Sequence, residues 1–227
     1  TNTLDAKGRL AIPPGMRMEL LGQDNRPPVL ARLLEAPALG LYTGINRVMG
    51  ASPGLSAIVF LVGAFGMMFA IEKNKNNSLG VVLLLAFTFF MGVMLSRLLG
   101  FVMGFSNGSQ LVMTAFGGTA IVFGTMATLA TTIKRDLSGL QKFLFIGAVV
   151  ILVAALANIF LQLPALMLTI SVLAIVIFSA FMLVDLQRVV NGGETNYVSA
   201  TLAIYLDVYN VFSNLLMLLG IFGGNRE

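Results

Sequence analysis

The sequence contains no cysteine and no histidine, and only 11% of its 227 residues are charged. The two missing residue types exclude disulfides, thiol or histidine catalysis, and zinc sites of the usual kind. A response to pH near neutrality would therefore have to come from carboxyl groups, because histidine is the side chain that ordinarily titrates there. We expect neither a cofactor nor an enzyme activity.

Hydrophobic residues make up 57% of the chain, and the mean hydropathy is +0.91. Soluble domains carry roughly 25% charged residues. The composition is therefore that of a polytopic protein embedded in the lipid bilayer. In such a protein a net charge of +4 is better interpreted as loop charge that sets orientation than as a nucleic-acid footprint.

Residues 1–50 differ from the rest and form a polar N-terminal tail. They hold six of the fourteen basic residues, four of the ten acidic residues and five of the seven prolines. The run from Thr3 to Pro13 predicts a turn at Asp5 to Gly8 and then a short strand that Pro13 ends. We expect an irregular segment or a β-hairpin here.

A fourteen-residue stretch of this tail, LDAKGRLAIPPGMR at residues 4–17, resembles the MraZ/AbrB type of swapped-hairpin DNA-binding module. The remainder of such a module is not recognisable, and a half-domain of this size cannot bury a core alone. We therefore expect no binding to nucleic acid. The stretch is interpreted as a natural fusion, a remnant or a misjoined reading frame.

The second predicted domain, residues 51–227, contains six apolar stretches separated by short polar breaks. A helix crosses a bilayer with about 20 apolar residues. The pattern predicts an all-α bundle of six transmembrane helices at residues 54–71, 79–103, 111–133, 143–161, 164–190 and 198–224.

The basic residues of the predicted loops lie at one end of this bundle. They are Lys73, Lys75, Lys134, Arg135, Lys142 and Arg188. Because lysine and arginine accumulate in cytoplasmic loops, this end is predicted to be cytoplasmic and both chain termini to lie on the other side.

The last apolar stretch carries Asp207 near its middle, and Asn210 and Asn214 share its helix face. A carboxylate at membrane depth normally faces protein or water. The sixth helix is therefore predicted to be central, with the others around it. Asn158 in the fourth helix is expected, like Asn210 and Asn214, to form hydrogen bonds between helices.

A second carboxyl group, Asp185, lies near the end of the fifth helix. Antiparallel fifth and sixth helices would place Asp185 and Asp207 at similar depth, to within about one turn. Two carboxylates in one site of low dielectric cannot easily both ionise, so the pair would share a proton and could bias two packings of the helices. The alternatives are an ordinary solvated helix end for Asp185 or a purely structural polar pair.

Several stretches of residues 52–227 resemble the Bax inhibitor-1 (TMBIM) family, and the bacterial YccA-like branch looks closest. The matching stretches are 52–55, 116–120, 157–166, 192–197 and 202–212. The resemblance implies a bundle of seven membrane helices with the last one central. Six are evident here, so the family's first helix is expected to be missing, with the MraZ-like tail in its place.

Some members of this family are pH-sensitive calcium leak channels gated by two aspartates. Asp185 and Asp207 fall at what look like the matching positions, and calcium would contact the chain there. Lys73 is the nearest candidate for the family's basic partner. The YccA-like branch implies a place in the bacterial inner membrane and binding to the FtsH protease. Two functions stay open: a proton-sensitive calcium leak, and a modulator of FtsH that transports nothing.

Overall fold

The computed structural model describes residues 53–224. These residues include nearly all of the second compact unit of the chain, Ala57–Glu227, and the first helix begins four residues before that unit. The described residues form six helices and no strand. In chain order these are α1 (Pro53–Lys73), α2 (Ser78–Met103), α3 (Gly108–Thr132), α4 (Leu140–Leu161), α5 (Pro164–Val190) and α6 (Tyr197–Gly223).

The predicted all-α membrane bundle is confirmed. Five helices, α2 to α6, are long and apolar enough to cross a membrane. The helices begin earlier than predicted at α3 and α4, because polar residues such as Ser109 and Gln141 continue the helix beyond its apolar part. The predictions made for the N-terminal tail fall outside the described residues.

The sixth helix is central, as predicted. One cluster of buried side chains joins α6 to α1 and α2, and it contains Ala64, Ile71, Leu84, Phe87, Met91, Val198 and Leu202. A second cluster joins the other half of α6 to α2 and α3, and it contains Val102, Leu111, Ala115 and Leu216. Helix α6 also packs along α5. By contrast α4 buries none of its residues fully, and its recorded packing is against α5.

The outer surface of the bundle is apolar. Large side chains such as Phe69, Phe116, Phe160 and Phe222 are more than half exposed. In water such a surface would mark an interface. Around helices that satisfy their own backbone hydrogen bonds it is the surface expected to face lipid.

The end of the bundle with the α1–α2, α3–α4 and α5–α6 loops, here called the basic end, is tied together by two amide side chains. The first is Asn196, which caps α6 by accepting hydrogen bonds from Val198 N (3.0 Å) and Ser199 N (3.2 Å). Its Nδ2 donates to Lys75 O (3.2 Å) and Asn76 Oδ1 (2.9 Å). The α1–α2 turn is therefore attached to the start of the central helix.

The second amide is Gln187 of α5, which is 3% exposed. Its Nε2 donates to Ile133 O (3.0 Å) and Arg135 O (2.9 Å), and its Oε1 accepts from Leu137 N (3.0 Å). All three backbone partners of this buried amide lie in the α3–α4 loop. Gln187 thereby holds that loop against α5, two residues from Asp185.

Candidate functional site

The structure brings together the two carboxyl groups that the sequence singled out. Asp207 lies about 15 Å along α6 from Tyr197, and Asp185 about 8 Å along α5 from Val190, at 1.5 Å per residue. Asp207 is only 3% exposed and the side chain of Asp185 only 12%. The two carboxyl groups are within hydrogen-bonding reach of each other.

This contact has a chemical requirement. An ionised carboxylate only accepts hydrogen bonds, so a hydrogen bond between two carboxyl groups needs a proton on one of them. In addition, Asp207 Oδ2 is buried, and no N–H or hydroxyl group of residues 53–224 donates to it. The pair can therefore hold one proton between α5 and α6, while Asp207 Oδ2 receives no hydrogen bond from the described bundle.

Arg188 lies on the side of the pair that faces the basic end. Its Nη1 is 3.8 Å from Asp185 Oδ1, and its Nη2 is 3.8 Å from Glu194 Oε2 in the α5–α6 loop. Arg188 thus connects the acidic pair to the loop that leads into the central helix. Because the guanidinium is 35% exposed, we treat these contacts as a positional link rather than a large source of stability.

From the sequence Arg188 is predicted only as a charge beside the α5–α6 loop, although its i,i+3 spacing from Asp185 indicates an ion pair on one helix face. Lys73, the basic partner proposed from the resemblance, is the last residue of α1 and is exposed. The ion pair with Asp185 is made by Arg188.

Beside the acidic pair lies a cavity of about 400 Å³, here called the acidic cavity. Its walls come from α1, α4, α5 and α6, and its lining consists of Phe65, Met68, Phe145, Ala148, Val149, Leu152, Phe178, Phe181, Asp185, Ala203, Leu206, Asp207 and Asn210. A mostly apolar cavity with a few polar groups converging on one wall is the usual form of a small-molecule site. A larger depression of about 590 Å³ near Tyr197 contains one carboxylate, Glu194, and neither aspartate, so we place the candidate site in the acidic cavity.

The three asparagines predicted to bond between helices form hydrogen bonds to backbone groups of their own chain segments. Asn210 Nδ2 donates to Leu206 O and Asn214 Nδ2 to Asn210 O, each at 2.8 Å and one turn back along α6. Asn158 Oδ1 accepts from Leu163 N at 2.9 Å and helps to end α4. These bonds correct the prediction of hydrogen bonding between helices, because each amide finds a backbone partner nearer in sequence. Of the three, Asn210 lines the acidic cavity.

Within residues 53–224 no group of three or more histidine, cysteine, aspartate or glutamate residues is arranged to hold a metal ion. Calcium takes six to eight oxygen ligands. The acidic cavity offers two carboxyl groups and one amide. These oxygen atoms suffice for a transient contact with calcium, but a tight calcium site would need more oxygen ligands than this lining supplies.

Five helices long and apolar enough to cross a membrane, packed around a central helix whose one carboxyl group, Asp207, is buried, define an integral membrane protein. Comparison with known proteins is more specific. The family model described as "Inhibitor of apoptosis-promoting Bax1" matches residues 30–226. The chain belongs to the Bax inhibitor-1 family.

Individual relatives agree with this assignment. The "Modulator of FtsH protease YccA" of Escherichia coli (strain K12) is 42% identical over 178 residues, which are 78% of this chain and 80% of the relative. The "Inner membrane protein YccA" of Escherichia coli O6:H1 gives the same values. An "Uncharacterized membrane protein" of Vibrio cholerae is 39% identical over 181 residues, 79% of this chain and 81% of the relative. The chain is a multi-pass protein of the bacterial inner membrane.

The family match begins at residue 30, upstream of the domain boundary predicted near residue 51. It therefore includes the second part of the polar tail. The MraZ-like stretch at residues 4–17 lies outside the match, and the absence of DNA binding stays a prediction.

Proposed function

We propose that this protein is a proton-sensitive cation leak of the inner membrane, with Asp185 and Asp207 as its sensor and calcium as the expected ion. The observation that carries the proposal is that the carboxyl groups of buried Asp207 and of Asp185, whose side chain is 12% exposed, lie within hydrogen-bonding reach of each other on adjacent helices. A shared proton holds α5 and α6 together at this point. Its loss leaves two like charges in a site of low dielectric, where they repel.

The surroundings favour a response that is local to the pair. From the basic end Arg188 and Glu194 face it, and Arg188 is in ion-pair contact with Asp185. The side chains that α1 and α4 contribute to the acidic cavity are all uncharged. Repulsion within the pair would therefore move α5 relative to α6, and Arg188 would follow Asp185 away from the α5–α6 loop. We propose that this movement opens a path for cations between the acidic cavity and the basic end.

The test is calcium flux into liposomes that contain the purified protein, measured between about pH 5 and 8. The proposal requires a leak that increases as the shared proton is lost and a pH response that disappears in Asp207→Asn. No flux from a well-folded preparation at any pH in this range would end the channel proposal.

A second candidate function is modulation of the FtsH protease without transport. It is supported by the 42% identity, over 78% of this chain, to a relative whose name states that activity. Co-purification with FtsH from membranes, together with a changed rate of degradation of an FtsH substrate, would support it. An Asp207→Asn variant that has lost pH-dependent flux but still changes FtsH activity would show that the two functions are separate.

A further inference from the structure

The acidic cavity has features that a sensor of protons does not need. It is a space of about 400 Å³, within the range of small-molecule sites, and its lining comes from four helices. Four phenylalanines contribute to this lining, namely Phe65, Phe145, Phe178 and Phe181. A pair that only exchanges a proton could be packed without such a space beside it.

One buried acceptor beside the cavity lacks a donor. Arg188 lies 3.8 Å from Asp185 Oδ1 and 3.8 Å from Glu194 Oε2, so its positive charge is shared between Asp185 and the α5–α6 loop. Asp207 Oδ2 is buried and receives no hydrogen bond from a donor of the described bundle. A buried acceptor without a donor is costly. A cation with an N–H group to donate would satisfy this oxygen and place a positive charge beside the pair.

The apolar lining restricts what kind of cation this can be. A metal ion needs several oxygen ligands, and most of the surface here is hydrocarbon. The faces of aromatic rings attract organic cations through their ring electrons. The edges of the same rings and the aliphatic side chains pack against the apolar part of such a cation. The complement of this lining is an ammonium group attached to a hydrophobic chain or ring.

We propose that the acidic cavity is a binding site for a small lipophilic amine, whose protonated nitrogen pairs with Asp207 and whose apolar body lies among Phe65, Phe145, Phe178 and Phe181. The inference uses the same residues as the proposed sensor, but it does not rest on ion conduction. A bound amine would neutralise the pair without a change in its protonation.

The test is equilibrium dialysis of the full chain in nanodiscs at pH 7, with protein-free nanodiscs as the blank. Two probes of matched shape are compared: 4-phenylbutylamine, which is protonated, and 4-phenylbutan-1-ol, which is neutral. A hydrogen bond to a charged group contributes about 1.5–3 kcal/mol, so we expect the amine to bind at least about tenfold more tightly than the alcohol.

Three variants locate the site. Asp207→Asn should remove the preference for the amine and leave binding of the alcohol unchanged. Ala148→Phe, which fills the cavity from α4, should weaken both probes. Asp136→Asn alters an exposed carboxylate of the α3–α4 loop outside the cavity and should change neither. Circular dichroism verifies that each variant is folded.

The proposal is overturned by equal affinity for the two probes, which would indicate an apolar crevice for lipid chains. It is also overturned if the folded parent binds neither probe, or if the preference for the amine survives in folded Asp207→Asn. Should Asp207→Asn fail to fold, undiminished binding of both probes by folded Ala148→Phe would also overturn the proposal. Because no ion gradient is present, these results are independent of whether the protein conducts ions.

Discussion

Replacement of Asp207 by asparagine is the most informative perturbation of the proposed sensor. Asparagine keeps the shape of aspartate and can still hydrogen-bond to Asp185, so the helices should pack as before. It cannot lose a proton, and the repulsion between two charges can no longer arise. The leak should therefore become independent of pH, and Asp185→Asn should behave in the same way.

The size of the effect follows from the closeness of the two groups. Two unit charges about 4 Å apart at an effective dielectric constant of about 20 repel by about 4 kcal/mol. Such a bias shifts an equilibrium between two packings by up to about a thousandfold, since about 1.4 kcal/mol is tenfold. Arg188, 3.8 Å from Asp185 Oδ1, offsets part of this repulsion. We therefore expect the parent's leak to rise by at least about tenfold from pH 5 to pH 8, with a flat profile in both variants.

The assay is calcium entry into liposomes, followed with an enclosed indicator at several pH values. Asp136→Asn is the matched control, because hydrogen bonds from the backbone N–H and the hydroxyl of Ser138 hold the pKa of Asp136 below its ordinary value. Asp136 therefore stays ionised throughout the tested range, and its replacement should leave the profile unchanged. The double variant Asp185→Asn/Asp207→Asn should add little to either single change, because the two groups act as one unit.

This reasoning would be refuted if both single variants kept the parent's pH profile. The pair would then be structural, with an effect on stability alone, and the modulation of FtsH would become the preferred function. A profile lost in one variant and kept in the other would contradict the shared proton specifically.

Four further predictions concern the basic end and the topology. Gln187→Leu removes three hydrogen bonds of the α3–α4 loop, and at about 1 kcal/mol each we expect a loss of about 2–3 kcal/mol and a lower Tm by circular dichroism. Asn196→Ala removes the cap of α6 and should cost about 1–2 kcal/mol in the same measurement, whereas Asn196→Asp, which keeps the cap, should cost less. Gly80→Ala should destabilise the α1–α2 turn by about 1–3 kcal/mol, because the added Cβ would lie 2.5 Å from Asn74 O; an unchanged Tm would contradict this packing. Reporter fusions after Lys75 and after Arg226 should give opposite signals, and equal signals would mean that the number of crossings between them is not odd.

Much of the architecture could be predicted from the order of residues alone. Apolar runs of about 20 residues separated by short polar breaks specify membrane helices, because backbone groups in lipid must bond within their own segment. The central place of α6 was predictable for a related reason: Asp207 in the middle of an apolar run cannot face lipid. The similar depth of Asp185 and Asp207 was also predictable, because the short loop at residues 191–196 makes α5 and α6 antiparallel neighbours.

What the order of residues could not specify is the rotation of each helix about its axis and the partners that polar groups choose. Asn158 and Asn210 bond to their own segments rather than to neighbouring helices, because a backbone N–H or carbonyl close in sequence lies within reach of each amide. The link from Arg188 to both Asp185 and Glu194 depends on how the α5–α6 loop folds back. The acidic cavity depends on the packing of four helices at once, and α4, which places Phe145 and Ala148 in its wall, has no polar pattern that indicates which face it turns inward.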